Sequence, residues 1–368
     1  MTSVDPSTEP VPPAPATPAG DAGLARDTAA RMERILYEVK RVVVGQDRFL
    51  ERVMVALLAQ GHLLVEGVPG LAKTLTVKTL ARVLQGQMRR IQFTPDLLPA
   101  DLVGTRIYQP HSGEFSTVLG PVFTHLLLAD EINRAPAKVQ SALLEVMQER
   151  QVTLAGSTHR VPEPFLVMAT QNPIETEGTY PLPEAQVDRF MMKVLVGYPS
   201  EEEELVIAQR FTGAPIEVAG LISPAELADL QRACREQVYV DPAIVQYVVR
   251  LVAATRAPER VGLAELTPLV TWGASPRGTL HLVEAARALA LLRGRSYVLP
   301  GDVQDLAADV LRHRLVLSYE ALAAGWTPDA YLARLQAAVS APQVPLQAVA
   351  AAHPPSPAHD SASISAPT

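Results

Sequence analysis

The residues best suited to chemistry are Gly67, Gly70, Lys73 and Thr74, in the stretch GVPGLAKT (67–74). Two glycines let the backbone bend so that consecutive N–H groups point inward around a phosphate, and the helix start that follows adds its positive dipole. In such a turn Lys73 neutralises phosphate charge and the Thr74 hydroxyl ligates Mg²⁺. Ala72 stands where the general pattern has another Gly. Alanine costs little there provided the residue is already helical, because only a positive φ requires glycine. A second cluster is Asp130 and Glu131, which close the apolar run HLLLADE (125–131). Acids at the carboxyl edge of a buried strand stand where open α/β sheets bind ligands. Asp130 suits Mg²⁺ through its water shell, and Glu131 suits the proton of a water attacking a terminal phosphate. Each cluster alone has a plainer reading, a turn capping a core helix or two solvated acids. Strand, glycine turn and helix in succession, with the acids downstream, favour the phosphate site.

Such groups need a sheet to hold them. HLLVEGV (62–68), RIQFTP (90–95), HLLLADE, FLVMATQNP (165–173) and MMKVLVGY (191–198) read as five apolar strands separated by helices. That alternation predicts an α/β fold, with a parallel sheet covered on both faces. Residues 27–60 read as two helices broken at VVVGQ (42–46). TLTVKTLARVL (74–84) offers Leu75, Leu80 and Leu84 to one face, and 136–150 is a helix opened by Pro136. Residues 96–124 are loop-rich with a hairpin around HSGE (111–114), and QVTLAGSTHRVP (151–162) alternates like a second hairpin. After Pro199 the chain reads as amphipathic helices, several opened by Ser–Pro or Asp–Pro.

The 368 residues suffice for about two domains. Of the 32 prolines, 12 fall within residues 1–20 and 341–368, which are also poor in large apolar side chains. Both ends are therefore expected to be disordered tails. The expected organisation is a tail over 1–26, an α/β core over 27–199, a helical domain over 200–340 and a tail over 341–368. A net charge of −7 argues against nucleic acid and anionic membranes as partners. A single cysteine, Cys234, forbids an intrachain disulfide and suits a reducing compartment, and the scattered histidines lack zinc-ligand spacing. No apolar run approaches the ~18 residues of a membrane span, and MTSVDPSTEP lacks the features of a signal peptide. A cytoplasmic location without stable membrane insertion is expected.

GVPGLAKT, LLLADEINRAPAKVQSALLEVMQE, FLVMATQNPIETEGTYPLPEAQVDRF and GASPRGT together resemble the AAA+ ATPases, and within them the MoxR family, over about residues 30 to 320. Ala72 is the form that MoxR-like sequences use. The resemblance implies a P-loop core with a small helical lid, ATP and Mg²⁺ as cofactors, and a ring of about six subunits. Phosphate contacts would come from Gly67, Val68, Pro69, Gly70, Leu71, Ala72, Lys73, Thr74 and Leu75. Val44, Gly45 and Gln46 would wrap the adenine. Mg²⁺ would sit on Thr74 and Asp130, with Glu131 as the base. Asn172 matches sensor 1, Arg189 the arginine finger that reaches a neighbouring subunit's nucleotide, and Arg277 sensor 2 on the lid, acting on its own subunit's nucleotide. Arg134 is a second interface candidate, and Gln92 a relay toward Glu131. Residues 96–124 and 151–162 sit where related AAA+ clades carry the helix-2 insert and the pre-sensor hairpin, which by that resemblance would point towards the ring's pore or face. The family further implies remodelling or activation of client proteins, usually with a von Willebrand factor A domain. The rival readings are a nucleic-acid motor, a magnesium-chelatase-type motor subunit, and an ATP-gated scaffold without turnover.

Overall fold

The computed structural model describes residues 22–343, apart from 69, 112, 174–178 and 215. The expected tails lie almost wholly outside those residues. A first helix, α1 (Ala22–Lys40), begins inside the span expected as tail, because Ala25, Met32, Ile35 and Val39 give it a buried face.

Five strands form one sheet: β1 (Leu63–Glu66), β2 (Met88–Gln92), β3 (Leu126–Asp130), β4 (Leu166–Gln171) and β5 (Met192–Leu195). Their order is β2-β3-β4-β1-β5 and every neighbouring pair is parallel. All five strands expected from the sequence are present. The pleat sends alternate side chains to opposite faces. Leu63, Val65, Leu126, Leu128, Leu166 and Met168 enter one core. Leu64, Leu127, Ala129, Val167 and Ala169 enter the other. Because the strands are parallel, β1, β3 and β4 present their carboxyl ends at one edge. The edge strand β2 is the polar one, with Arg89, Arg90 and Gln92 exposed.

Helices α2 (Asp47–Leu58), α3 (Lys73–Val83) and α4 (Ala137–Glu149) connect or flank these strands. Gly45 and Gln46, both at positive φ, break the chain between α1 and α2 at the expected place. Leu80 and Leu84 of the third run are buried as expected, whereas Leu75 is exposed. The two hairpins are Gly104–Gln109 with Glu114–Leu119, and Gln151–Leu154 with Ser157–Arg160.

The C-terminal half is helical: α5 (Glu201–Thr212), α6 (Pro224–Gln237), α7 (Pro242–Ala254), α8 (Pro276–Leu292), α9 (Pro300–Leu311) and α10 (Pro328–Ala338) are its longer elements. Ser200, Ser223, Asp241, Ser275 and Thr327 cap all of these but α9 by accepting backbone N–H groups, each worth about 1 kcal/mol. One element departs from expectation. α5 forms, with a Ser200/Glu203 capping box and four acids on its positive dipole end, but buries no residue. Its apolar Leu205, Ile207 and Phe211 are exposed.

The change of character near residue 200 is not a gap in packing. One apolar cluster runs from Ala25 to Val339, with α1 and α2 joined to the C-terminal helices. Buried charges cross the same seam. Arg52 of α2, 1% exposed, pairs with Asp309 at 2.8 Å and Asp305 at 2.7 Å on α9. Arg312 binds Asp309 at 2.5 Å and donates to the Lys193 carbonyl of β5.

Candidate functional site

At the carboxyl edge of the sheet a cleft of about 390 Å³ is lined by Gly67, residues 70–75, Arg90, Asp130, Glu131, Thr170 and Asn172. Three central strands deliver these groups. β1 runs into Gly67, β3 ends in Asp130, and β4 carries Thr170 and leads to Asn172. Gly67 is needed for close approach, since a Cβ there would meet the Val196 carbonyl at 2.6 Å, and Gly70 is needed for its φ of +88°. Lys73 opens α3 and reaches back to donate from Nζ to the Gly67 carbonyl at 2.7 Å, closing the turn over the cleft. Burial lowers its pKa, opposed by the nearby Asp130 and Glu131 carboxylates. Its partly desolvated place strengthens the attraction between an ammonium there and an anion.

Ala72 corrects the sequence expectation. It is left-handed, with φ 55° and ψ 15°, a conformation that costs an L residue roughly 1–2 kcal/mol. The turn must reverse at this point for α3 to start with its N–H groups aimed at the cleft, and Ala72 also packs against the core. Glu131 is left-handed as well, at φ 57°. Strained backbone of this kind persists only where the surroundings fix it, and here Glu131 N–H donates to Thr170 Oγ1 at 2.9 Å.

Two residues of the cleft were missed from sequence. Thr170 donates to Asp130 Oδ1 at 2.5 Å while accepting from Glu131, so it orders both acids. Arg90 holds Asp130 Oδ2 from the other side at 2.7 Å and donates to Gln92 Oε1 at 2.9 Å. The connection from Gln92 therefore leads through Arg90 to Asp130, and not to Glu131 as expected. Register explains this: β2 pairs with β3 so that Gln92 opposes Asp130, and Arg90, two residues away, shares its face. A polar alternation within an otherwise apolar sheet was the available signal.

The other expected residues fall in three places. Asn172 is buried and lines the cleft. Val44, Gly45, Gln46 and Val68 do not line it. Gln46 donates to the Gly197 carbonyl, and Val68 packs on the core. Pro69 lies outside the described residues. Arg134 pairs with its own Glu131 at 3.2 Å.

Neither Arg189 nor Arg277 is in the cleft lining. Arg277 lies 3.9 Å from Asp188, the residue before Arg189, in place of the expected approach to its own phosphate site. Ser275 caps α8 through the Arg277 N–H, as expected, and its hydroxyl also donates to Asp188. That carboxylate answers the unfavourable placement of a cation at a positive helix end. Arg314 meets Asp188 from the other side at 2.8 Å. Burial draws its pKa down to about 10, opposed by Asp188, so it remains charged. Burial beside Arg314 lowers His281 to about 3 and leaves it neutral. Arg189 Nε is buried without a hydrogen-bond partner among the described residues.

A Mg²⁺ site fits the donors present: Asp130 and Thr74 both line the cleft, and Arg90 shows that Asp130 Oδ2 already accommodates a cation.

Comparison with known proteins agrees with this geometry. Residues 62–192 match the model of the ATPase family associated with various cellular activities (AAA), and residues 263–335 match the AAA lid domain. The chain is 56% identical to Chaperone MoxR1 of Mycobacterium tuberculosis over 89% of its length and 87% of that protein's. It is 45% identical to the uncharacterized protein YeaC of Bacillus subtilis over 84% of this chain and 94% of that one. A crystal structure of a candidate ATPase from Cytophaga hutchinsonii superposes with a TM-score of 0.82 at 44% identity, covering 87% of this chain and 97% of that one.

Proposed function

The chain belongs to the MoxR family of AAA+ ATPases, and on that premise we propose that it hydrolyses ATP at sites shared between neighbouring copies in a hexameric ring and uses the cycle to remodel or activate a client protein. The observation that carries the shared site is the separation just described. The phosphate turn, both acids and Asn172 line one cleft, while Arg277 lies beside Asp188, the residue before Arg189, and neither arginine is in that lining. Two arginines outside the lining of their own chain's cleft suit a neighbour's phosphate. This revises Arg277 from its own subunit's nucleotide to the adjoining one.

In this reading Lys73 and the turn N–H groups hold the β- and γ-phosphates, and Thr74 with Asp130 hold Mg²⁺, displacing Arg90 from Oδ2. The metal, when bound, supplies charge neutralisation between the phosphates. Glu131, ordered by Thr170, takes the proton of the attacking water, and Asn172 positions that water. Arg189 of the adjoining copy meets charge developing on the γ-oxygens, a contribution worth ~10³–10⁵ in rate. The 42–46 segment wraps the adenine. Residues 27–199 act as the ATPase core and 200–340 as the lid. The client class proposed is a protein with a von Willebrand factor A domain, the location cytoplasmic. Among the described residues no helix is long and apolar enough to cross a membrane.

Glu131→Gln tests both halves. It should bind ATP with wild-type affinity, lose turnover by ~10²–10⁴-fold, and co-purify a client in ATP but not without nucleotide. Lys73→Ala should lose binding itself. Wild-type turnover by Glu131→Gln would remove Glu131 as base, and equal client capture by Lys73→Ala would separate capture from ATP.

A further inference from the structure

The segment carrying Arg189 is fastened to the helical half of its own chain by bonds the cleft does not use. The Asp188 carboxylate accepts Ser275 Oγ at 2.9 and 3.0 Å and Arg314 Nε at 2.8 Å. Arg314 also donates to the carbonyls of Asp188 at 3.1 Å, Phe190 at 2.7 Å and Met191 at 3.3 Å. A ring nitrogen of His313 lies 3.1 Å from the Phe190 carbonyl. The backbone on both sides of Arg189 is thus gripped from residues 275 to 314, while the Arg189 guanidinium makes none of these bonds. The Arg314 side chain is 1% exposed. A cation so desolvated is retained only with excellent geometry and full hydrogen bonding, and what this geometry fixes is the two residues flanking Arg189.

We propose that Asp188 is the positioning residue for Arg189: through Ser275 and Arg314 it locks the finger to the helical half, so that the guanidinium moves with that half and reaches the adjoining nucleotide already oriented. The inference rests on the shared-site reading above. A cation acting on the transition state must be in place beforehand, and a misplacement of about 1 Å can cost 10²-fold in rate. Because Asp188 acts through Arg189, its contribution must vanish when Arg189 is absent.

The test is a double-mutant cycle on the full-length protein, reading kcat, KM for ATP and melting temperature. Asp188→Asn should lower kcat by ~10–100-fold with KM nearly unchanged, and Asp188→Glu should restore part of it. In an Arg189→Ala background, Asp188→Asn should cost less than about 2-fold more. If Asp188→Asn fails to fold, Ser275→Gly carries the same cycle, since glycine is tolerated at an N-cap and only the hydroxyl is lost. Its own kcat loss should again be absent without Arg189. Equal losses in both backgrounds would overturn the inference and mark Asp188 as merely structural. So would full kcat in Asp188→Asn beside a slow Arg189→Ala. A fully active Arg189→Ala would instead bring down the shared-site reading, and this inference with it.

Discussion

The phosphate cleft and the seam between sheet and C-terminal helices both rest on charged groups, built by opposite means. In the cleft the phosphate-binding stretch is local, running from Gly67 into the start of α3, and the strain sits in backbone, at Ala72 and Glu131. At the seam the backbone is ordinary and the cost is desolvation. Arg52, Asp309, Arg312 and Arg314 are all buried, and the pairs that cross the seam, Arg52 with Asp309 and Arg314 with Asp188, join residues far apart in sequence. The contrast teaches where tolerance should lie. A strained turn gives up little stability when altered but controls chemistry, whereas a buried ion network gives up much stability when one member goes.

The largest stability effect should therefore come from the seam. Arg52→Ala strips Asp309 and Asp305 of a buried partner and should cost ~3–5 kcal/mol, read as a lowered denaturant midpoint. A loss below 1 kcal/mol would mean that Arg48 and Arg312, which also meet Asp309, suffice alone, and the contrast would weaken.

A smaller effect is expected from acid. His281 has its pKa lowered to about 3 in the fold, first by burial and then by Arg314. The unfolded chain takes up the proton near pH 6.5, so stability is complete above that and falls as pH drops toward 3. Between pH 7 and 5 the expected loss is about 2 kcal/mol from this group. A His281→Asn variant should show a correspondingly flatter dependence, and an unchanged slope would place the acid sensitivity elsewhere.

The smallest effect belongs to the turn. Ala72→Gly removes left-handed strain but adds freedom to the unfolded chain, and should stabilise by no more than about 1 kcal/mol. A clear loss of stability would show that the Ala72 methyl's packing outweighs the strain.

The same contrast explains what was legible in the sequence. The cleft could be read because strand, turn and helix are contiguous, and all five strands announced themselves by apolar runs. What escaped needed contacts across the fold. The left-handed Ala72 follows from how α3 must enter. Arg90 and Thr170 reach Asp130 only through sheet register, some forty residues away. The position of Arg277 depends on the path of the whole helical half, which no local spacing encodes, and α5 looked amphipathic although none of the described residues buries its apolar side chains.

The central claim is that each site is completed by a second copy, and mixing two inactive variants tests it most directly. Arg189→Ala keeps its own cleft and Lys73→Ala keeps its finger, so each alone should turn over slowly or not at all. In mixed assemblies some intact clefts would face intact Arg189 side chains. The account predicts that part of the ATPase activity returns on mixing and disappears on dilution below the assembly concentration. With subunit exchange demonstrated, a mixture no more active than its two components would contradict it.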